Sequence, residues 1–224
     1  TGRYGGEPFI ATPPLGALDL FSSEVREMAA LIAWCRGNSS GRVAVGGTSL
    51  VAIGDGHLDA AALVLVDMAP KIEPEGSRKI REFMDQKPEG FETLEEVAEA
   101  IANYQPHRKR PRNLDGLVKN VRLGDDGKYH WHWDPRRRNR TWDMEEYRSR
   151  LSRCAENINV PTLLVRGGLS DVLSEEGAQS FLAQCPHAEY VKVSDAAHMV
   201  AGDRNDIFAG AVIEFLFRVA PVKA

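Results

Sequence analysis

Four apolar runs of β character organise this sequence: Arg42–Gly46, Ala62–Asp67, Thr162–Val165 and Glu189–Val193. Runs of this kind, without regular polar alternation, belong to strands buried on both faces. Helical patterns separate them, which predicts a parallel sheet covered by helices. One helix is expected over Glu24–Arg36, with Ser22 or Ser23 as its N-cap, because Val25, Met28, Ala29, Ile32 and Ala33 recur at helical spacing. Another is expected at Asp203–Val219, with Ile207, Phe208, Ala211, Val212, Phe215 and Leu216 on one face. Between Asp67 and Pro161 no strong buried strand is visible. Amphipathic patterns occur there at Ser77–Met84, Thr93–Tyr104, Leu114–Val121 and Met144–Ala155. A structureless loop of that size is rare, so the segment reads as an inserted helical lid. The expected organisation is a core of residues 1–67 and 159–224 with a lid over 68–158.

Composition narrows the function classes. The chain of 224 residues is 43% hydrophobic and 27% charged, with a net charge of −4, which gives no reason to expect a nucleic-acid partner. The basic runs Arg108-Lys-Arg-Pro-Arg112 and Arg136-Arg-Arg138 read as solvated lid surface. Cys35, Cys154 and Cys185 are odd in number and not in metal-ligand spacing, as expected of reduced thiols in a cytoplasmic protein. No apolar run reaches membrane-spanning length, and the start carries no signal-peptide core, so no membrane partner is expected. Asn38-Ser-Ser40 and Asn139-Arg-Thr141 match the glycosylation pattern, which is too short to weigh without a secretory signal.

Chemistry points to Ser49. In Val43-Ala-Val-Gly-Gly-Thr-Ser-Leu-Val-Ala52 an apolar strand ends at a small-residue turn carrying a serine, the shape of a strand-to-helix elbow that presents a nucleophile. The usual pattern is Gly-x-Ser-x-Gly, and Val51 departs from it. Gly54, Asp55 and Gly56 also shorten the helix expected behind the serine. A serine nucleophile needs a histidine to take its proton and a carboxylate to orient that histidine. Asp171 follows the strand at 162–165 and His198 follows the strand at 189–193, which brings both to the carboxyl edge of the sheet. Asp171 could instead cap the helix near Ser174, and His198 could be a hydrogen-bonded loop residue. Asp67 also ends a strand, either as an alternative acid or as a helix N-cap. His130 and His132 would share one strand face, but no third metal ligand is sensibly spaced nearby.

From about Leu63 onward the sequence resembles the α/β-hydrolase family, in its cofactor-free haloperoxidase and esterase-like branch. The matching stretches are Leu63-Val-Leu-Val-Asp-Met-Ala-Pro70, Trp131-His-Trp-Asp-Pro135, Arg166-Gly-Gly-Leu-Ser-Asp171 and Ala197-His-Met-Val-Ala-Gly-Asp-Arg-Asn-Asp206. The resemblance implies an α/β class fold: an α/β-hydrolase-like parallel sheet, reduced in strand number, with an inserted helical lid. It implies Ser49 as nucleophile, Asp171 as acid, His198 as base and the Leu50 amide as an oxyanion donor, with no cofactor. Trp131 and Trp133 either pack the lid or line an acyl pocket, and with Met199 they are the substrate-pocket candidates. The implied reaction is hydrolysis of a small-molecule carboxylic ester, with peracid formation as a variant. The lead-in through Leu50 looks closer to a different hydrolase branch, and a splice near residues 50–57 would account for that. No strands or His-Gly-type oxyanion loop are visible before Phe21, so an open sheet edge and a homo-oligomer are expected. The alternative is a catalytically impaired hydrolase relative that binds a ligand or partner through its lid.

Overall fold

The computed structural model describes residues 43–45, 47–108, 114–132 and 144–219. The helix expected at Glu24–Arg36, together with Cys35, Trp133, Arg136, Arg137 and Arg138, lies outside them. Strands β1 (Val43–Val45), β2 (Ala62–Val66), β5 (Thr162–Gly167) and β6 (Glu189–Val193) form a parallel sheet in the order β1-β2-β5-β6. Leu63 pairs with Thr162 and Val66 with Val165, so strands far apart in sequence are central neighbours.

Alternation along these strands divides the core between two faces. Leu63, Leu65 and Leu164 pack with Leu50, Ile53, Leu151, Cys154 and Phe181. Those partners come from α1 (Gly47–Gly54), α4 (Met144–Glu156) and α5 (Glu175–Gln184). Ala62, Val64, Leu163 and Val165 pack with Phe208, Val212, Phe215 and Leu216 of α7 (Asn205–Val219). Each fully buried Leu, Val or Phe contributes about 1.5–3 kcal/mol of transfer free energy, so these two faces hold the sheet together. The closing helix predicted at Asp203–Val219 is interrupted: α6 (Val200–Asp203) precedes α7. Ile207, expected on its apolar face, is exposed.

The insertion has a core of its own. It comprises α2 (Pro74–Asp85), α3 (Leu94–Tyr104) and an antiparallel hairpin of β3 (Val121–Leu123) and β4 (Tyr129–Trp131). Phe83, Met84, Phe91, Val97, Ala100, Val121 and Trp131 fill its centre. Thr93 caps α3 by accepting the Glu96 amide at 3.2 Å, and Glu96 reaches back to the Glu92 amide at 3.3 Å. The helix predicted over Leu114–Val121 is instead a short 3-10 turn, Asp115–Lys119, that feeds β3. Of the segment 68–158, α4 joins the main core through Leu151, Cys154 and Ala155.

The connection behind Ser49, short as it is, suffices for a parallel return. Two turns of α1 and a tight reversal (His57 N–H to Ala52 C=O, 2.8 Å) bring the chain back to β2. Gly54 ends α1 against Cys154, where an added Cβ would lie 2.5 Å from the Cys154 backbone. Val51, the residue that departs from the elbow pattern, packs against this main core.

Candidate active site

The carboxyl ends of β1, β2, β5 and β6 all open on one edge, because the strands are parallel. Ser49 stands in the first turn of α1, just past β1. It is 1% exposed, and its Oγ has no hydrogen-bond partner among the described residues. A buried hydroxyl in that condition calls for an explanation, since the great majority of buried polar atoms are paired. Leu50, fully buried, closes the same turn.

Asp67 follows β2 directly, and its side chain is fully buried. Its φ of 49° is a left-handed conformation that few residues other than glycine adopt, though Asp tolerates it better than most. The backbone turns there while the Asp67 N–H remains bonded to the Val165 carbonyl at 2.7 Å. Three donors converge on the carboxylate. Oδ1 accepts the Gly167 amide at 2.9 Å, and Oδ2 accepts the Ser170 hydroxyl at 2.5 Å and the His198 Nδ1–H at 2.8 Å. A carboxylate can only accept, so the His198 ring carries its proton on Nδ1 and leaves Nε2 as a base.

His198 Nδ1 is thus held by Asp67, the alternative acid, at a different strand end from Asp171. Asp171 turns toward the insertion, where its Oδ2 accepts from Lys79 Nζ of α2 at 2.8 Å. That bond and the attraction behind it raise the Lys79 ammonium above its usual range. Burial pushes the Tyr104 phenol at the end of α3 up to about 12, and the Asp171 charge adds to the rise. The capping role also goes elsewhere. Ser174 caps α5 by accepting the Gly177 amide at 3.0 Å. Nor does Asp67 cap a helix, because α2 starts only at Pro74, behind Glu73.

The loop after β5 explains how two adjacent residues part company. Ser170 Oγ accepts the amides of Val172 and Leu173 at 3.1 and 3.2 Å while donating to Asp67, which turns its hydroxyl inward. Gly168 N–H binds the Val193 carbonyl at 2.8 Å and Leu169 N–H the Ala196 carbonyl at 2.9 Å, locking this loop to the one that carries His198. Gly167 is required by that approach: an added Cβ would lie 2.1 Å from the Ala197 carbonyl oxygen. Beneath it, buried Arg166 donates from Nε to the Leu173 carbonyl at 2.7 Å.

The pocket candidates separate. Trp131 is 5% exposed and belongs to the insertion's own core, edge-on to Phe91 at 4.9 Å between centroids and tilted against Phe83 at 5.4 Å. Met199 is half-buried beside His198. Trp133 lies outside the described residues.

No family model matches the sequence. Among solved structures, E-2-(acetamidomethylene)succinate hydrolase superposes with a TM-score of 0.63 at 20% identity, over 92% of this chain and 76% of that one. An esterase from Mycobacterium tuberculosis gives 0.61 at 20% identity, over 85% of this chain and 65% of that one. An α/β hydrolase from Novosphingobium aromaticivorans gives 0.58 at 23% identity, over 92% and 75%. The chain has the α/β-hydrolase fold. Its sheet is a reduced version of that fold among the described residues, with four parallel strands. A curated relative, the 3-hydroxybutyrate-oligomer hydrolase of Cupriavidus necator, is 28% identical over 148 residues, or 61% of this chain and 50% of that protein. The chain thus spans about half the length of that relative. Among the described residues no helix is long and apolar enough to cross a membrane.

Proposed function

We propose that this protein hydrolyses small carboxylic esters through an acyl-Ser49 intermediate. The observation that carries the reading is the Asp67–His198 hydrogen bond of 2.8 Å, formed at the sheet edge that also bears the buried Ser49 hydroxyl, which has no partner among the described residues. His198 Nε2 removes the Ser49 proton as Oγ attacks the ester carbonyl carbon. The tetrahedral oxyanion is held by the opening amides of α1, with Leu50 at the end of that turn. Collapse expels the alcohol, which takes the proton from His198. Water, deprotonated by the same nitrogen, then attacks the acyl carbon, and collapse frees the acid as His198 returns that proton to the departing Ser49 Oγ. Asp67 fixes the imidazole tautomer and stabilises the imidazolium, the role first expected of Asp171.

The relative named for 3-hydroxybutyrate oligomers extends this reading to short hydroxyacid esters as substrates. The test compares the intact protein with Ser49→Ala and His198→Ala on a short-chain nitrophenyl ester. The expected result is a burst of nitrophenol in the intact protein and none in either variant. Turnover that survives both substitutions overturns the mechanism. A protein inert toward all short esters, yet binding them, would favour the impaired relative.

A further inference from the structure

The segment behind the lid helix α3 reaches into the loop that carries His198, and nothing in the ester mechanism yet uses it. The Asp203 side chain, 4% exposed at the end of α6, bridges two groups. Its Oδ2 accepts the amide of Ala197, the residue before His198, at 2.8 Å. Its Oδ1 accepts Nε of Arg108 at 2.7 Å and lies 3.2 Å from Nε2 of His107. Arg108 Nη2 then donates to the carbonyl of Met199, the residue after His198, at 3.4 Å. That carbonyl also accepts the amides of Gly202 and Asp203 at 2.9 Å each. Both chain neighbours of His198 are thus held by one ion pair, and half of that pair comes from the lid.

We propose that Asp203 and Arg108 are positioning residues that set the backbone on either side of His198 and make its alignment depend on the seating of the lid. This deepens the ester-hydrolase reading and rests on it. Charge-assisted hydrogen bonds are short and directional, so the pair can fix a backbone position better than neutral contacts could. Alignment matters steeply, because a misplacement of about 1 Å in a catalytic group can cost on the order of 10²-fold in rate. A base held this way is aligned when the Arg108 segment is docked and loosened when it leaves.

The test uses the full chain. Arg108→Gln removes the charge from a partly exposed side chain and should fold normally. Its kcat on a short nitrophenyl ester should fall by about 10- to 100-fold while KM stays within about two-fold, and Arg108→Lys should recover most of the loss. Hydrogen exchange at the Ala197 amide should quicken in Arg108→Gln and more so in Asp203→Asn, with the global melting temperature of Arg108→Gln unchanged. Wild-type kcat in Arg108→Gln, an effect on KM alone, or unaltered Ala197 exchange overturns the proposal. If the intact protein is inactive, or Ser49→Ala remains active, the ester reading fails, and Ala197 exchange alone then decides whether the pair positions this loop.

Discussion

Ser170 and Asp171 are adjacent in sequence and face opposite ways: Ser170 Oγ donates to Asp67 at 2.5 Å, while Asp171 accepts from Lys79 of α2 at 2.8 Å. The loop after β5 therefore supplies a hydroxyl to the candidate site and a carboxylate to the insertion. The carboxylate that holds His198 comes from the end of β2 instead.

That arrangement separates the two aspartates experimentally. Asp67→Asn should lower kcat by about 10³- to 10⁴-fold, because an amide can donate to the imidazole and trap the wrong tautomer. Asp171→Asn breaks a half-exposed ion pair of the kind worth about 0–1 kcal/mol and should leave kcat within a few fold. Parallel ester kinetics on the two variants decide the matter; equal losses would reinstate Asp171.

Ser170→Ala tests the support beneath the acid. The substitution removes a hydrogen bond to a buried carboxylate and the acceptor for two loop amides, a loss of about 1.5–3 kcal/mol in stability. Urea unfolding measures this directly. kcat should fall alongside, by less than in Asp67→Asn, since Gly167 N–H still holds the other oxygen.

Two glycines should respond with opposite signs. Gly167→Ala drives a Cβ into the Ala197 carbonyl and should destabilise by at least about 1–3 kcal/mol, with loss of activity as the His198 loop shifts. Gly210 lies inside α7 with nothing within 4 Å of the Cβ position, so Gly210→Ala should stabilise by about 0.5–1 kcal/mol. Melting temperatures of the pair report both effects.

Acid stability should depend on Asp203. Burial pushes its carboxyl up, but the hydrogen bonds from Arg108 and the Ala197 amide outweigh that and hold it below the usual Asp value. A depressed carboxyl stabilises the fold at pH above its unfolded pKa, and the contribution disappears as pH falls through the folded value. The stability gap between the intact protein and Asp203→Asn should therefore be constant near neutrality and close below the ordinary Asp range. Unfolding free energies measured from pH 7 down to pH 3 would show whether it does.

The sheet was legible because β2 and β5 bury both faces, which leaves unbroken apolar runs such as Leu63-Val-Leu-Val66. The β3–β4 hairpin was not, since three-residue strands with half-exposed side chains carry too little pattern to separate Leu114–Val121 from a helix. The place of His198 at the carboxyl edge of the sheet was legible from its position after β6. The choice between Asp67 and Asp171 was not made by order or spacing, as both follow strands and both fall between Ser49 and His198. It is made by the rotation of the Ser170 loop, a three-dimensional property. The two readings of Trp131 could not be separated for a related reason: an aromatic looks the same in sequence whether it faces substrate or, as found, packs on Phe91 in the insertion's core.

Asp67 and His198 are 131 positions apart, and Asp67 and Gly167 are 100 apart. Neither bond can form until β2 has found β5 across the whole insertion. The equilibrium cost of so long a closure is small, about 0.6 kcal/mol for each doubling of loop length. Its kinetic cost is larger, since pairing between distant segments is slow to nucleate. During refolding the helices and the insertion's own aromatic core can therefore mature first, and ester turnover should return last, as a late marker that β2 and β5 have met.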